Sequence, residues 1–409
     1  MAATINTNVN SLNAQRNLAT SAMGLATSMQ RLSSGLRVNS AKDDAAGLAI
    51  AERMTTQLRG LSVGARNAND GISLAQTAEG ALGKVGDMLQ RMRELAVQAS
   101  NATNSAADRK ALQAEVGQLT DEIDRVAKQT SFNGRKILDG SFAGAVFQVG
   151  ANSGDVASLG ALTNSTAIGL ADIAYGYDQS ASQVAASSVN SLTALSAGTL
   201  SISVTGAGTF SFDLGPLAAA SSGSERMGQV VEALNRKSTD TGVTAFLSQN
   251  LDQTYRIDLM SAKLDSNGDA AVVALTGFST ATTGLGSIAA MGSTINAVNT
   301  TSDALGIDTL TVDTQRNAWV ALKKIDAAID QVNSARANLG ALQSRFESAV
   351  SNISIQIENL AAAKGRIVDA DFAQETANLS RTQILQQAGT AMVAQANKLP
   401  QGVLSLLQQ

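Results

Sequence analysis

Apolar residues seven positions apart in the C-terminal third limit the possible folds more than any other feature. The run comprises Ile325, Val332, Leu339, Phe346, Ile353, Leu360 and Ile367. We assign the partner positions to Leu322, Ile329, Val350 and Ile357, with Arg336, Gln343 and Lys364 interrupting them. This heptad pattern predicts a long helix with a left-handed supercoil. From Leu322 to Lys364 the helix would extend roughly 60 Å.

The N-terminal third carries matching repeats. Its seven-residue series comprises Leu61, Ala68, Ala75, Leu82, Leu89 and Ala96, with Met54, Leu58, Ala65 and Ile72 as partners. An earlier series alternates by four and three through Leu18, Ala22, Leu25, Met29, Leu32 and Leu36. Ser40 with Asp43 and Ser105 with Asp108 are candidate capping boxes, the second opening a shorter helix.

The region between the two heptad series has a different character, rich in Gly, Ser, Thr and Ala. Alternating apolar runs predict strands at 199–204, 209–213, 243–247 and 255–259, and 226–236 has helical spacing. A β-β-α-β-β module is the predicted arrangement. The simplest topology folds both chain ends back as antiparallel coiled-coil helices with an outer α+β domain between them. Two coiled-coil regions in separate contacts are the alternative.

Composition narrows the function. The 409 residues include no His and no Cys, which removes the usual general base, the commonest metal ligands and disulfides. We therefore predict no catalytic residues, no cofactor and no metal. A net charge of −4 gives no basic excess for nucleic acid, and no window resembles a membrane span. The first residues lack the features of a cleavable leader, which by itself predicts a cytoplasmic protein.

The two extreme ends have thin apolar stripes among polar residues. The N-terminal stripe contains Ile5, Val9 and Leu12, and the C-terminal one contains Ile384, Leu385, Met392, Leu399, Leu404 and Leu407. Such helices bury little apolar surface against an ordering cost of about 1–2 kcal/mol per residue. We expect them to be mobile in a monomer and to order against other copies, since a repeated non-closing contact generates a helical filament. Frayed ends without a role are the alternative.

Several motifs resemble one family. RLSSGLRVNS from Arg31 to Ser40, AKDDAAGLA from Ala41 to Ala49, and ARNANDGIS from Ala65 to Ser73 resemble the N-terminal signature of bacterial flagellin. LQRMRELAVQASN from Leu89 to Asn101 and the Leu-rich end at 388–407 also resemble it. The likeness covers about residues 1–150 and 310–409.

This resemblance implies a non-enzymatic subunit of the flagellar filament, exported without a cleaved leader and located outside the cell. The implied domains are 1–42 and 366–409 as the inner core, 43–178 and 309–365 as a helical shell, and 179–308 as an outer variable domain. Partners would be other copies, hook-associated and filament cap proteins, and an export chaperone. A hook-filament junction protein and a secreted coiled-coil adhesin remain alternatives.

The resemblance also implies a recognition site within LQRMRELAVQ. In flagellins with this motif the host's flagellin-sensing Toll-like receptor binds there, and the matching positions are Arg91, Leu95 and Glu115. We predict that Arg91, Glu94 or Leu95, and Gln98 lie away from the intramolecular seam. The alternative is a solvated or subunit-packing face, which charged residues on long helices usually form.

Overall fold

The computed structural model describes residues 7–177, 184–205, 208–249, 254–264, 271–279, 281–283, 296–298 and 305–407. Its helices are α1 (Val9–Ser34), α2 (Ala45–Ala99), α3 (Ala106–Gln129), α4 (Gly223–Arg236), α5 (Ser238–Thr241), α6 (Gln315–Val368) and α7 (Phe372–Leu407). A 3-10 turn spans Ala186–Ser188. The predicted fold class, mainly helical with a β-rich middle, is confirmed.

The strands are short and lie between α3 and α6 in the sequence. They are β1 (Ser131–Phe132), β2 (Arg135–Lys136), β3 (Ala145–Gln148), β4 (Val156–Leu159), β5 (Tyr175–Tyr177), β6 (Val184–Ala185), β7 (Ser201–Thr205), β8 (Thr209–Asp213), β9 (Val243–Gln249), β10 (Thr254–Ser261), β11 (Val272–Thr276) and β12 (Asn296–Val298). Strands β1 and β2 pair with each other, as do β3 and β4.

The chain divides into two compact units. The first unit contains Met1–Gly71, Val146–Ala157 and Arg345–Gln409, and the second contains Ile72–Ala145 and Ser158–Ser344. Helices α2 and α6 each contribute residues to both.

In the first unit, α1 and α7 pair along their lengths, and the segments beside them are joined by backbone contacts. Leu36 forms an antiparallel bridge with Asp369. The capping box predicted at Ser40 is wrong. The Asp43 carboxylate does accept hydrogen bonds from the backbone N–H and hydroxyl of Ser40, but these close a turn before the helix. Asp44 precedes the first residue of α2 and accepts from Gly47 N at 2.8 Å, as an N-capping side chain does.

The same unit packs the β3–β4 hairpin residues closely on α2. A Cβ atom on Gly64 would lie 2.5 Å from Val149 O, so this helix position requires glycine. Asn67 Nδ2 donates to Gln148 O at 2.8 Å. The ring of Phe346 meets that of Phe147 edge-on at 5.5 Å.

In the second unit, α2, α3 and α6 form a closely packed bundle. The predicted seven-residue series is confirmed on both long helices, since Leu82, Leu89, Ile325, Val332 and Leu339 are all buried. Glu79 accepts from Gln343 at 2.8 Å and Arg93 pairs with Asp326 at 2.7 Å, so α2 and α6 run antiparallel here.

From Leu322 to Arg336, the assigned partner positions on α6 are wrong by one residue. Leu322 and Ile329 are half-buried and Arg336 is exposed, whereas the fully covered positions belong to small residues. These are Ala321, Ala328 and Ala335. Alanine four residues before each of Ile325, Val332 and Leu339 makes a narrow seam, which lets two helices approach closely. Arg336 therefore does not interrupt the seam.

The β-rich part of the second unit has its own core. The order β7, β8, α4, β9, β10 confirms the predicted module, but the two strand pairs belong to different sheets. One sheet has the order β11-β7-β8, and the other has the order β12-β5-β10-β6, with β9 also paired to β10. Buried residues of α4 share one core with residues of both sheets; they include Met227, Val230 and Leu234. None of the described helices is long and apolar enough to cross a membrane.

Candidate assembly and recognition sites

The seam between α1 and α7 is polar. Asn8 Nδ2 donates to Ala396 O at 2.8 Å, and Ser11 Oγ donates to Asn397 Oδ1 at 2.8 Å. At the other end Arg31 and Glu375 form an ion pair of 3.1 Å, with the Glu375 side chain almost covered. The buried residues of α1 are Ser11 and Ser28. These contacts fix the register of the two helices but bury little apolar surface.

Several large apolar side chains of this pair point outward, although Leu18, Leu25 and Leu32 are half-buried. Val9 is 64% exposed, Leu12 52%, Ile384 65%, Leu385 48% and Met392 63%. Met29 belongs to the predicted series that alternates by four and three, but it is also exposed. Its neighbour Ser28 is buried instead. Each helix thus has an uncovered apolar side, which in a soluble monomer usually marks a contact surface.

Five of the nine predicted assembly residues are therefore exposed. Ile5 lies outside the described residues, and the side chains of Leu399, Leu404 and Leu407 lie outside the described side chains. Sequence reasoning missed Met23 and Phe372, which are exposed on the same two helices. Met23 lies eleven residues after Leu12, which is a helical spacing, so the N-terminal stripe could have identified it. Phe372 lies twelve residues before Ile384, on a different face of α7, so the C-terminal stripe could not.

The recognition residues lie on α2 and α3 of the second unit. Arg91 Nη2 pairs with Glu115 Oε1 at 2.8 Å, and Arg91 Nη1 pairs with Glu94 Oε2 at 2.9 Å. The hydrogen bonds that Arg91 donates to Glu94, and next to Glu115, raise the pKa of its guanidinium. All three side chains are about half exposed, so this is a pre-ordered charged surface that a partner can reach.

Leu95 does not belong to that surface. Its side chain is 1% exposed, and with Leu89 and Met92 it is part of the buried core. The prediction that Leu95 could lie away from the core is wrong, because α2 is covered on more than one side. The structure brings Arg91 and Glu115 together and adds Glu94 to them.

The start of α3 is held firmly, which positions Glu115. The predicted capping box is confirmed, with Ser105 accepting from Asp108 N and the Asp108 side chain accepting from Ser105 N. Hydrogen bonds from the Ser105 hydroxyl, then from its backbone N–H, lower the pKa of Asp108. Arg109 donates to Ala99 O at 2.9 Å and to Asn101 O at 2.9 Å, which ties α3 to the end of α2.

Comparisons with known proteins agree with this arrangement. Residues 5–143 match the bacterial flagellin N-terminal helical region, and residues 322–407 match the C-terminal helical region. The chain is 40% identical to Flagellin A of Vibrio anguillarum and 39% identical to Flagellin E of Vibrio cholerae, each over 100% of both chains. A solved structure of FliC from Burkholderia pseudomallei is 29% identical, with a TM-score of 0.40 over 67% of this chain and 99% of that one.

The family regions coincide with the helices that carry the exposed apolar sides and the Arg91 surface. The full-length relatives are named flagellins rather than junction proteins or adhesins. The chain therefore belongs to the bacterial flagellin family, whose members are the structural subunits of the extracellular flagellar filament.

Proposed function

We propose that copies of this chain contact one another in the filament through the exposed apolar sides of α1 and α7. One observation supports this most strongly: the pair buries serines and a glutamate and exposes valine, leucine, isoleucine and methionine. Fully burying one such apolar side chain contributes about 1.5–3 kcal/mol, so repeated stacking of copies would stabilise what a single copy leaves uncovered. Ile5, Leu399, Leu404 and Leu407 extend the same stripes in the sequence and are assigned the same role.

Seeded polymerisation of purified monomer tests this assignment. We expect Leu12→Asp and Ile384→Asp to raise the critical concentration at least about tenfold, since a buried charge without a partner costs more than about 1.4 kcal/mol. Phe210→Asp is the matched control, because Phe210 is an exposed apolar residue on β8, 59% exposed. Polymerisation of both tail variants at the wild-type concentration would exclude the proposed contacts.

The domain scheme follows from the same idea. We assign 1–42 and 366–409 to the inner part of the filament, 43–178 and 309–365 to a surrounding shell, and 179–308 to an outer domain. In support, the tail helices need neighbours to cover their apolar sides, whereas the β-rich part already has its own core. Protein from which residues 179–308 are deleted should form filaments that keep their inner layer. Electron microscopy of these filaments should show a loss of density on the outside.

The role proposed is mechanical and does not include catalysis. The absence of His and Cys from the sequence supports this, because acid-base and nucleophilic chemistry near neutral pH mostly uses these groups. We assign an export chaperone, the filament cap and the hook-associated proteins to the tail faces as well. The chaperone would need to cover the same apolar side chains before assembly. The cap and the hook-associated proteins would need to cover them at the ends of the filament.

We also propose that the host's flagellin-sensing Toll-like receptor recognises the monomer through Arg91 and Glu115. The third residue, Leu95, would support this surface from the core. The half-exposed, doubly paired Arg91 supports this, since an ordered arginine loses little entropy on binding. Leu95, being buried, would act by positioning α2 and not by touching the receptor.

A reporter-cell assay with folded monomer tests the receptor assignment. We expect Arg91→Asp to lower signalling potency at least about tenfold, which corresponds to loss of one interface hot spot. Arg93→Asp is the control, because Arg93 is on the same helix, has the same 50% exposure, and pairs with the carboxylate of Asp326. Equal potency of Arg91→Asp and wild type would remove the assignment.

A further inference from the structure

The methionines whose side chains the structure describes divide between exposed and covered positions according to region. Met23 is 65% exposed, Met29 56% and Met392 63%, and all three lie on the helices α1 and α7. Met54 and Met88 on α2 are half-buried. The fully covered methionines of the second unit are Met92, Met227 and Met260. A reagent in solution therefore reaches the thioethers of α1 and α7 before those of the packed core.

Two of the exposed methionines continue the exposed apolar sides of their helices. Met23 follows Leu12 by eleven residues, which is close to three full helical turns. Met392 follows Leu385 by seven residues, which is close to two turns. Met29 comes six residues after Met23, so it is turned about 120° away around α1. Met23 and Met392 therefore belong to the sides through which copies are proposed to contact one another, whereas Met29 points elsewhere.

The chemistry of an exposed thioether makes these positions sensitive to oxidants. The sequence contains no Cys, so no thiol of the chain competes for the oxidant. When hydrogen peroxide reacts with methionine, the sulfur gains one oxygen atom and loses two electrons, the O–O bond breaks, and the other oxygen leaves as water. The product, methionine sulfoxide, is polar and disrupts interfaces that contain methionine. Covering its oxygen against an apolar neighbour that offers no hydrogen-bond donor is unfavourable.

We propose that Met23 and Met392 form an oxidation site that controls assembly. The proposal rests on the contact between copies through α1 and α7 that is proposed above. In a free monomer both thioethers are open to hydrogen peroxide, and their sulfoxides keep the monomer out of the filament. In the filament a neighbouring copy covers both, so assembled copies are protected. The enzyme that restores an oxidised monomer is a methionine sulfoxide reductase, which releases the oxygen as water while two thiols become a disulfide.

Seeded polymerisation of oxidised monomer tests the site. Full-length monomer is treated with hydrogen peroxide, catalase removes the oxidant, and mass spectrometry of peptide fragments locates the added oxygen. We expect Met23, Met29 and Met392 to be oxidised well before Met92 and the other covered methionines. The critical concentration of the treated monomer should rise at least about tenfold over that of untreated monomer. Methionine sulfoxide reductases of both stereospecificities, supplied with a thiol, should return it to the untreated value.

Variants assign the effect to individual methionines. Met23→Leu combined with Met392→Leu removes both thioethers and keeps apolar side chains of similar volume. In this double variant oxidation should raise the critical concentration by no more than about twofold. Met29→Leu is the matched control, because Met29 is an exposed methionine of the same helix α1 that points away from Leu12, and oxidation of this variant should still cause the full rise. Each variant is compared with its own untreated sample, so an effect of the substitution itself does not enter the ratio.

Oxidation of assembled filaments separates this proposal from the contact on which it rests. We expect Met23 and Met392 to gain oxygen at least about tenfold more slowly in filaments than in monomer, with N-acetylmethionine amide in the same solution as the reference. Equal rates in the two states would refute the proposed contact itself. Protection in filaments, together with an unchanged critical concentration of oxidised monomer, would leave the contact standing and overturn the oxidation site. A full rise in the double variant, or its loss in Met29→Leu, would overturn the oxidation site as well.

Discussion

The α1/α7 pair and the α2/α3/α6 bundle are built from similar helices but place their apolar residues on opposite sides. The bundle covers Leu82, Leu89 and Val332 completely, whereas the tail pair covers Ser11, Ser28 and Glu375 and leaves many of its large apolar residues exposed. Length does not account for the difference, since α1 has 26 residues and α3 has 24. What differs is whether the apolar side has a partner within the chain.

This difference teaches that helical pattern and fold stability are separate properties. In the bundle, burial of apolar area within one chain offsets the cost of ordering it. In the tails, the hydrogen bonds of Asn8 and Ser11 fix register but contribute only about 0.5–1.5 kcal/mol each. We therefore propose that the tails depend on neighbouring copies for most of their stability.

The sharpest way to break this comparison is to truncate one leucine in each region. Leu89→Ala should lower the free energy of unfolding of the monomer by about 2–5 kcal/mol, because Leu89 is fully buried. Leu12→Ala should change it by no more than about 0.5 kcal/mol, because Leu12 is 52% exposed. Urea titration followed by circular dichroism measures both; similar losses for the two variants would contradict the comparison.

A glycine exchange sharpens the packed side of the comparison. Gly64→Ala should destabilise the monomer by about 1–3 kcal/mol, because its Cβ would lie 2.5 Å from Val149 O and the hairpin would have to shift. Gly80→Ala is the control on the same helix, with no atom within 4 Å of the added Cβ, and should stabilise by up to about 1 kcal/mol. Thermal unfolding of the two variants should move in opposite directions; a shift in the same direction would show that the close approach is not required.

The smallest expected effect concerns how the two kinds of helix begin. Asp108 in the capping box of α3 titrates, whereas Asn8, which caps α1 and accepts from Ser11 N at 3.1 Å, does not. Because the pKa of Asp108 is lowered below its ordinary 3.8, its stabilising contribution is present at neutral pH and is lost as the pH falls through the folded-state pKa.

Asp108→Asn should therefore be less stable than wild type at pH 7, and the difference should shrink as the pH falls through the lowered pKa of Asp108, where its carboxyl becomes neutral. Asp87→Asn, which replaces an exposed carboxylate of α2, serves as the control and should show no such convergence. Denaturant titrations at several pH values measure the difference. A gap between Asp108→Asn and wild type that persists in acid would contradict the assigned role of the carboxylate.

Much of the fold could be predicted because the patterns that encode it are local. Heptad spacing located both long helices, and Ser105 with Asp108 located the start of α3. Where residues close in the sequence can fill the same role, the prediction fails. Spacing predicts Arg336 in the seam position that the adjacent Ala335 occupies. The capping motif predicts Ser40 as the cap, four residues before Asp44, which caps the helix instead. Spacing alone cannot separate adjacent positions, since their directions on a helix differ by only about 100°.

The candidate sites were predicted less completely. The motif predicts Arg91 and Glu115 on neighbouring helices. Only the structure shows that the two side chains form an ion pair. Leu95 lies in the same motif but is buried, because α2 is covered on several sides. The sequence gives no signal that Arg256 and Arg316, sixty positions apart, line one cavity, because this requires a sheet to pack on α6.

By itself the sequence determined the family, the helical ends and the β-rich middle, because apolar periodicity and capping residues act within a few turns of the chain. Only the tertiary structure decided which apolar sides were covered, which glycine the hairpin approaches and which cations share a cavity. Those outcomes depend on contacts between residues distant in the chain. A local sequence pattern does not specify which distant residue will pack against it.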